Sequence, residues 1–208
     1  MASSPSLSFA IPGSVPRSPD AAAGLAAQGS SPWLRFTWQT DKTGTAPAGS
    51  DLIRPATREE ADEVLGVLLL SLSMDSGWND SFAMVEQHLK AEVARIFNEG
   101  DPLCLVMPKG SRLIAASLLD PSPEASSHLV SGPAVLMEYR NRGIGSRLLH
   151  ASLEALRGNG ITVASGITRA KTMAARHVYP KFDGVAESVT FSKPVEAKET
   201  LIKSHDGR

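Results

Sequence analysis

Two glycines one residue apart, set among arginines, carry the clearest chemistry in this sequence. The run Arg140-Asn141-Arg142-Gly143-Ile144-Gly145-Ser146-Arg147 stands between a strand-like segment and a helix whose Leu148, Leu149, Leu153 and Leu156 share one face. Glycine lets the backbone turn tightly and approach a ligand with no Cβ in the way. The first amides of a helix have no partner inside it and carry the positive end of its dipole. Arg140, Arg142 and Arg147 add full charges. Together they read as a cradle for a pyrophosphate. Other phosphate motifs fit worse. A dinucleotide GxGxxG needs a third glycine where Leu148 stands, and the Gly-Lys-Ser/Thr of a P-loop is absent.

A second run, Thr172-Met173-Ala174-Ala175-Arg176-His177-Val178-Tyr179, reads as a helix that ends on a phenol. With a pKa of about 10, a phenol can protonate a thiolate leaving group or simply pack its ring. A general base is harder to find. Ser127 to Met137 and Ile161 to Ser165 hold no carboxylate, and Glu138 falls in a turn. His128 can serve as a base or as a surface residue at a strand end. Asp75 and Trp78 lie in a turn between two helices, with Asp80 beyond them. The basic group Arg169, Lys171, Arg176 and Lys181 reads as a solvated face with one or two phosphate contacts. Cys104, in an apolar run, reads as core.

These residues need elements to position them. Leu52-Ile53-Arg54 reads as a short strand. Thr57-Arg58-Glu59-Glu60 is a capping box, and Ala61, Val64, Leu65, Leu68 and Leu72 extend a helix to about Ser73. Phe82, Val85, Leu89, Val93 and Ile96 make the apolar face of a second helix. Leu103 to Met107 and Leu113 to Leu119 read as a hairpin. His128 to Leu136 is the next strand. It contains Gly132-Pro133, where a proline cannot donate to a ladder, so a bulge is expected there. The glycine-led helix, a strand at Ile161 to Ala164, the Thr172–Tyr179 helix and a strand from Val185 to Phe191 follow. The order βααβββαβαβ predicts an α/β fold, a mixed sheet with helices on both faces.

Composition sets the boundaries. Ser, Ala, Pro and Gly fill 29 of the first 50 positions and only five are charged, so residues 1–50 read as a mostly disordered extension. The exception is the alternation Trp33 to Trp38, a candidate edge strand. The folded domain is expected over 51–195, with a tail or short edge strand over 196–208. The serine- and alanine-rich start reads as a plastid transit peptide, a low-complexity extension or a mis-assigned start; the expected compartment is cytoplasmic, or plastid in the first case. A net charge of −1 supplies no field toward nucleic acid or membrane, and no window is apolar enough to span a bilayer. One cysteine excludes an intramolecular disulfide and a cysteine-built zinc site, and five histidines contain no HExxH, so no metal is expected.

The segment Arg140 to Gly145 resembles the Arg/Gln-x-x-Gly-x-Gly/Ala motif of the GCN5-related N-acetyltransferase (GNAT) family. The element order from Leu52 to about Phe191 resembles that family too, including the interrupted strand. The resemblance implies a centrally splayed sheet and acetyl-CoA as co-substrate. It implies a diphosphate on the amides of Arg142, Gly143, Ile144, Gly145 and Ser146, next to Arg140 and Asn141. The pantetheine would add to the strand edge at Ala134, Val135 and Leu136. Tyr179 falls on the family's tyrosine acid, and Thr172 stands where an asparagine that contacts the cofactor backbone is usual, which makes it an expected cofactor residue. Asp75 and Trp78 border the acceptor site. The implied activity is direct transfer to a small-molecule or peptide amine by a monomer or homodimer, with no nucleic acid or membrane partner. The alternative is a non-catalytic acyl-CoA-binding regulatory module.

Overall fold

The computed structural model describes residues 31–98 and 102–189. In chain order these form β1 (Trp33–Gln39), β2 (Arg54–Pro55), α1 (Ala61–Ser73), α2 (Phe82–Asn98), β3 (Cys104–Lys109), β4 (Arg112–Leu118), β5 (Ala134–Val135), α3 (Ile144–Gly158), β6 (Val163–Arg169), α4 (Met173–His177) and β7 (Val185–Val189). Two antiparallel sheets result, ordered β2-β3-β4-β5 and β6-β1-β7. The expected class, a mixed and splayed sheet with helices on both faces, is the class observed.

The sheets meet at Leu129, which bridges Leu119 on one side and Gly166 on the other. Beyond it they part. The pairing moves from Leu119↔Leu129 to Ala116↔Ala134, three residues along β4 against five along the facing chain. The surplus sits at Gly132, whose φ of +62° is a conformation glycine adopts at no steric cost, and at Pro133, which has no N–H for a ladder. The bulge expected there therefore splits the strand and opens a gap between β5 and β6.

Each face of the first sheet has its own core. On one face α3 packs Leu148, Leu149, Leu153 and Leu156 against Leu105, Met107 and Ala115. On the other, α1 and α2 bring Val64, Leu68, Leu89 and Val93 onto Cys104, Val106, Ala116 and Leu118. The capping box opens α1 as expected: the Glu60 carboxylate accepts from Thr57 N–H at 2.8 Å. Arg54 holds the same carboxylate with two bonds of 2.8 and 2.6 Å, which draws its pKa down to about 2.

The expected domain start at residue 51 falls inside the fold. Strand β1 is central, not an edge: it pairs along its length with β6 on one side and with β7 on the other. Phe36 and Trp38, two residues apart, point to one face and are buried there. Their rings lie 5.2 and 5.1 Å from that of Tyr179, both edge-on. The chain then crosses α3, with Thr40 Oγ1 donating to Ile161 O at 2.8 Å and Thr43 Oγ1 donating to Glu154. The expectations for residues 1–30, for 196–208 and for the end of the last strand lie outside the described residues.

Candidate active site

A cavity of about 370 Å³ runs through the gap between the sheets. Residues packed on both faces line it, Leu72 and Trp78 from one core and Ile144 and Tyr179 from the other. Its floor is Ser131, Pro133, Ala134 and Val135.

The glycine run borders this cavity. Gly143 is the N-cap of α3 with φ +74°, and Asn141 is also left-handed at φ +62°. The first helical bond is Arg147 N–H to Gly143 O at 3.1 Å, so the amides of Ile144, Gly145 and Ser146 precede the hydrogen-bonded ladder. A Cβ on Gly145 would meet Val178 Cγ2 at 3.3 Å and Val135 Cγ2 at 3.9 Å. Asn141, Gly143, Ile144, Gly145, Ser146, Ala134 and Val135 thus line one space, as expected.

The three arginines divide the work differently from the sequence reading. Arg140 lines the cavity but spends its donors on carbonyls: Nε to Val135 O at 3.0 Å and Nη2 to Ser71 O at 2.6 Å. It ties β5 to the end of α1. Arg142 and Arg147 face an outer hollow of about 530 Å³ shared with Pro47, Ala48, Gly143, Ser146, Lys181 and Phe182. Lys181 Nζ donates to Ser146 Oγ at 2.7 Å and borders both spaces. Of the second basic group it alone reaches the cradle with a cationic side chain. Arg169 instead pairs with Asp80 and lies over the Trp33 ring at 4.9 Å.

Two expected cofactor residues are displaced. Thr172 is buried as the N-cap of α4: its Oγ1 accepts from Ala175 N–H at 3.2 Å and donates to Arg169 O at 2.8 Å. A hydroxyl committed to a cap has no place in the cavity, and Thr172 is not among the lining residues. Leu136 is buried in the α1–α2 core, and its N–H goes to Ile114 O at 3.0 Å.

Tyr179 closes the floor from the α3 side. Its ring is held by Phe36 and Trp38, and Trp38 Nε1 donates to its carbonyl at 3.1 Å. Its hydroxyl rests against Gly132, where a Cβ would collide with it. Burial pushes the phenol above its ordinary pKa, which keeps it protonated. Cys104 is buried in the opposite core, and burial pushes its thiol up to about 12, so it is no nucleophile. His128 is no surface residue: it is buried, and its Nδ1 accepts from Ser165 N–H at 3.0 Å, which pins the two sheets beside Leu129. It lies outside the cavity lining.

On the α1 side stand Asp75 and Trp78. Asp75 Oδ1 accepts from Gly77 N–H at 3.0 Å and Oδ2 from Met173 N–H at 2.9 Å, so the turn after α1 is fastened to the start of α4. Gly77 is in close contact there: a Cβ would come within 2.7 Å of the Thr172 backbone. Trp78 packs edge-on to Trp33 at 5.9 Å. Ser71, which the sequence reading passed over, lines the cavity; it is 2% exposed, and its hydroxyl has no partner among the described residues. An interior helical serine gives no sequence signal of this kind. Among the described residues no three His, Cys, Asp or Glu side chains converge on a metal position, and no helix is long and apolar enough to cross a membrane.

Comparison with known proteins gives one consistent answer. The family model of the acetyltransferase (GNAT) family matches residues 69–184. A GCN5-related N-acetyltransferase from Sphaerobacter thermophilus superposes with a TM-score of 0.56 at 14% identity, covering 84% of this chain and 55% of that one. A functionally unknown conserved protein from Staphylococcus epidermidis gives 0.54 at 15% identity, with 83% and 65% covered. A GNAT-family protein from Novosphingobium aromaticivorans gives 0.50 at 17% identity, with 76% and 61% covered. The chain therefore spans less than two thirds of each of these solved proteins, and at such identities the likeness is one of fold. A search of curated proteins finds no match.

Proposed function

The chain belongs to the GNAT acetyltransferase family, and on that premise we propose that it transfers an acetyl group from acetyl-CoA directly to an amine. One observation carries the reading: the glycine cradle and the Tyr179 phenol border a single cavity, at the place where the sheet is split. The residues present fit a coenzyme A diphosphate. The first-turn amides of α3 are outside the helical ladder, Lys181 stands over Ser146, and Gly145 lets the start of α3 approach Val178 closely. Arg142 and Arg147 sit in the adjoining hollow, suited to further phosphate charge.

The chain's own residues then act on the reaction as follows. The split at Gly132-Pro133 leaves the outer edge of β5 unpaired with β6, so an extended arm of the cosubstrate can lie along it. Holding thioester and amine in one cavity supplies much of the rate. As the C–N bond forms and the C–S bond breaks, the electron pair passes to sulfur, which takes the Tyr179 proton. The proton given up by the amine returns to Tyr179 through solvent. The buried thiol of Cys104 favours direct transfer over an acyl-enzyme. Calorimetric titration with coenzyme A tests the reading, together with thiol release from acetyl-CoA in the presence of amines. A wild-type protein that binds no coenzyme A refutes it, and one that binds but never transfers is the regulatory module instead.

A further inference from the structure

The cavity has two sides because it passes through the sheet. Gly143, Gly145, Ala174, Val178 and Tyr179 line the α3 side, which the proposed function gives to the cosubstrate. Ser71, Leu72, Asp75, Trp78, Ile167 and Met173 line the other. We infer that this second side takes an organic amine whose ammonium group is received by Asp75, and whose body is apolar and bears no carboxylate. The inference rests on the acyltransferase reading and gives it a substrate class.

Asp75 is the one carboxylate among the lining residues. A carboxylate offers about four acceptor positions. Here one backbone N–H reaches each oxygen, from Gly77 and from Met173, which fixes the group and leaves half its capacity for a ligand. The surrounding walls, Leu72, Trp78, Ile167 and Met173, are apolar or aromatic. The Ser71 hydroxyl is buried without a partner among the described residues, a state rare for buried polar groups. Of the cations that line the cavity, Arg140 and Lys181 are already engaged, which leaves His177 as the lining side chain able to meet a carboxylate on the acceptor. The Arg140 Nε and Nη2 donors go to Val135 O and Ser71 O, and Lys181 goes to Ser146. Arg169 is held by Asp80. Such an acid would face Asp75 with like charge, which is how a site rejects a wrong partner. With no second carboxylate in the cavity, a polyamine would bring cations that find no partner.

The test compares three acceptors on the wild-type protein, with acetyl-CoA as donor: 2-phenylethylamine, free phenylalanine and spermidine. Phenylalanine differs from 2-phenylethylamine only by its carboxylate. The expected kcat/KM for 2-phenylethylamine is higher than for either by about tenfold or more. Equal or better use of phenylalanine overturns the inference, and so does equal or better use of spermidine or no transfer to 2-phenylethylamine. Coenzyme A titration separates the two layers. If coenzyme A binds and 2-phenylethylamine is not acetylated, the acceptor class falls and the cosubstrate site stands; if coenzyme A does not bind, both fall. Asp75→Asn should raise the KM for 2-phenylethylamine about tenfold with the KM for acetyl-CoA unchanged. An equal rise in both would make Asp75 a fastener of the turn and nothing more. The wild-type ratio decides even if that variant fails to fold.

Discussion

Tyr179 and Gly132 form a pair in which each explains the other. The phenol lies where any side chain at position 132 would collide with it, and that glycine also holds a φ of +62°. Gly132→Ala should therefore push the ring out of place and strain the split, lowering both kcat and the melting temperature. Tyr179→Phe isolates the chemistry. It keeps the ring between Phe36 and Trp38 and removes only the hydroxyl, so packing survives. General acid catalysis is worth roughly 10²–10⁴-fold, and a thiolate is a tolerable leaving group, so a loss near a hundredfold in kcat is expected. Coenzyme A affinity by calorimetry should stay constant. Wild-type kcat in the phenylalanine variant, with chemistry shown to limit turnover, would reduce Tyr179 to a packing residue. Gly145→Glu should abolish coenzyme A binding, because its side chain would enter the contact with Val178 and Val135 and bring a negative charge to the cradle. Retained affinity in a folded variant would remove the cradle from that position.

At the scale of elements, most of the site was legible because the motifs are local. A glycine run before an amphipathic helix fixes the cradle whatever lies around it, and Gly132-Pro133 announces its bulge through two residues that cannot hold a regular ladder. What stayed hidden is long-range. Nothing local distinguishes Arg140 as a tie between β5 and α1 from Arg140 as a phosphate ligand, since Ser71 O is supplied from another element. Thr172 reads as a cofactor residue until the cap on Ala175 is seen. The larger miss is β1, whose six-residue alternation sits in a segment of Ser, Ala, Pro and Gly that suggests no core. Its partners are more than a hundred residues away, so composition around it says nothing of its pairing. The corrected reading predicts that Trp38→Ala destabilises the protein by about 3–5 kcal/mol, as for other buried tryptophans. It would lose the stack on Phe36, the edge contact with Tyr179 and the indole bonds to Tyr179 O and Lys181 O. Chemical denaturation measures it. A loss under about 0.5 kcal/mol, the usual range for surface changes, would return β1 to a peripheral role.

For the molecule as a whole, the two sheets must be joined firmly at one end so that they can part at the other. The join is small: Leu129 N–H to Ser165 O at 2.9 Å, Ser165 N–H to His128 Nδ1 at 3.0 Å, and Ile167 N–H to the Ser127 hydroxyl. An imidazole nitrogen accepts only while it is unprotonated, so the bond from Ser165 N–H requires neutral His128, whose Nδ1 also lies 3.0 Å from Ser165 Oγ. Burial enforces this by lowering the His128 pKa below its ordinary 6.5, against the pull of the Asp120 charge. The sign of the linkage follows. Above about pH 6.5 the imidazole is neutral in both the folded and the unfolded chain, and its contribution is complete. As the pH falls below that value the unfolded chain takes up the proton first, so stability declines until the folded-state pKa is passed. His88, also lowered by burial, acts in the same direction, so the wild-type slope alone does not isolate the join. Glu60, held at about 2 by Arg54, contributes in a separate window, below the ordinary carboxylate value of 4.5. The decisive measurement is therefore a difference: unfolding free energy by urea titration from pH 7.5 to 5 in wild type and in His128→Gln. Glutamine can offer an acceptor near the Ser165 N–H and does not titrate. The variant should be less stable at pH 7.5 and show a shallower decline toward pH 5. Parallel slopes would place the acid sensitivity elsewhere and leave the join of the two sheets to Leu129 and to the Ser127 hydroxyl that accepts from Ile167 N–H.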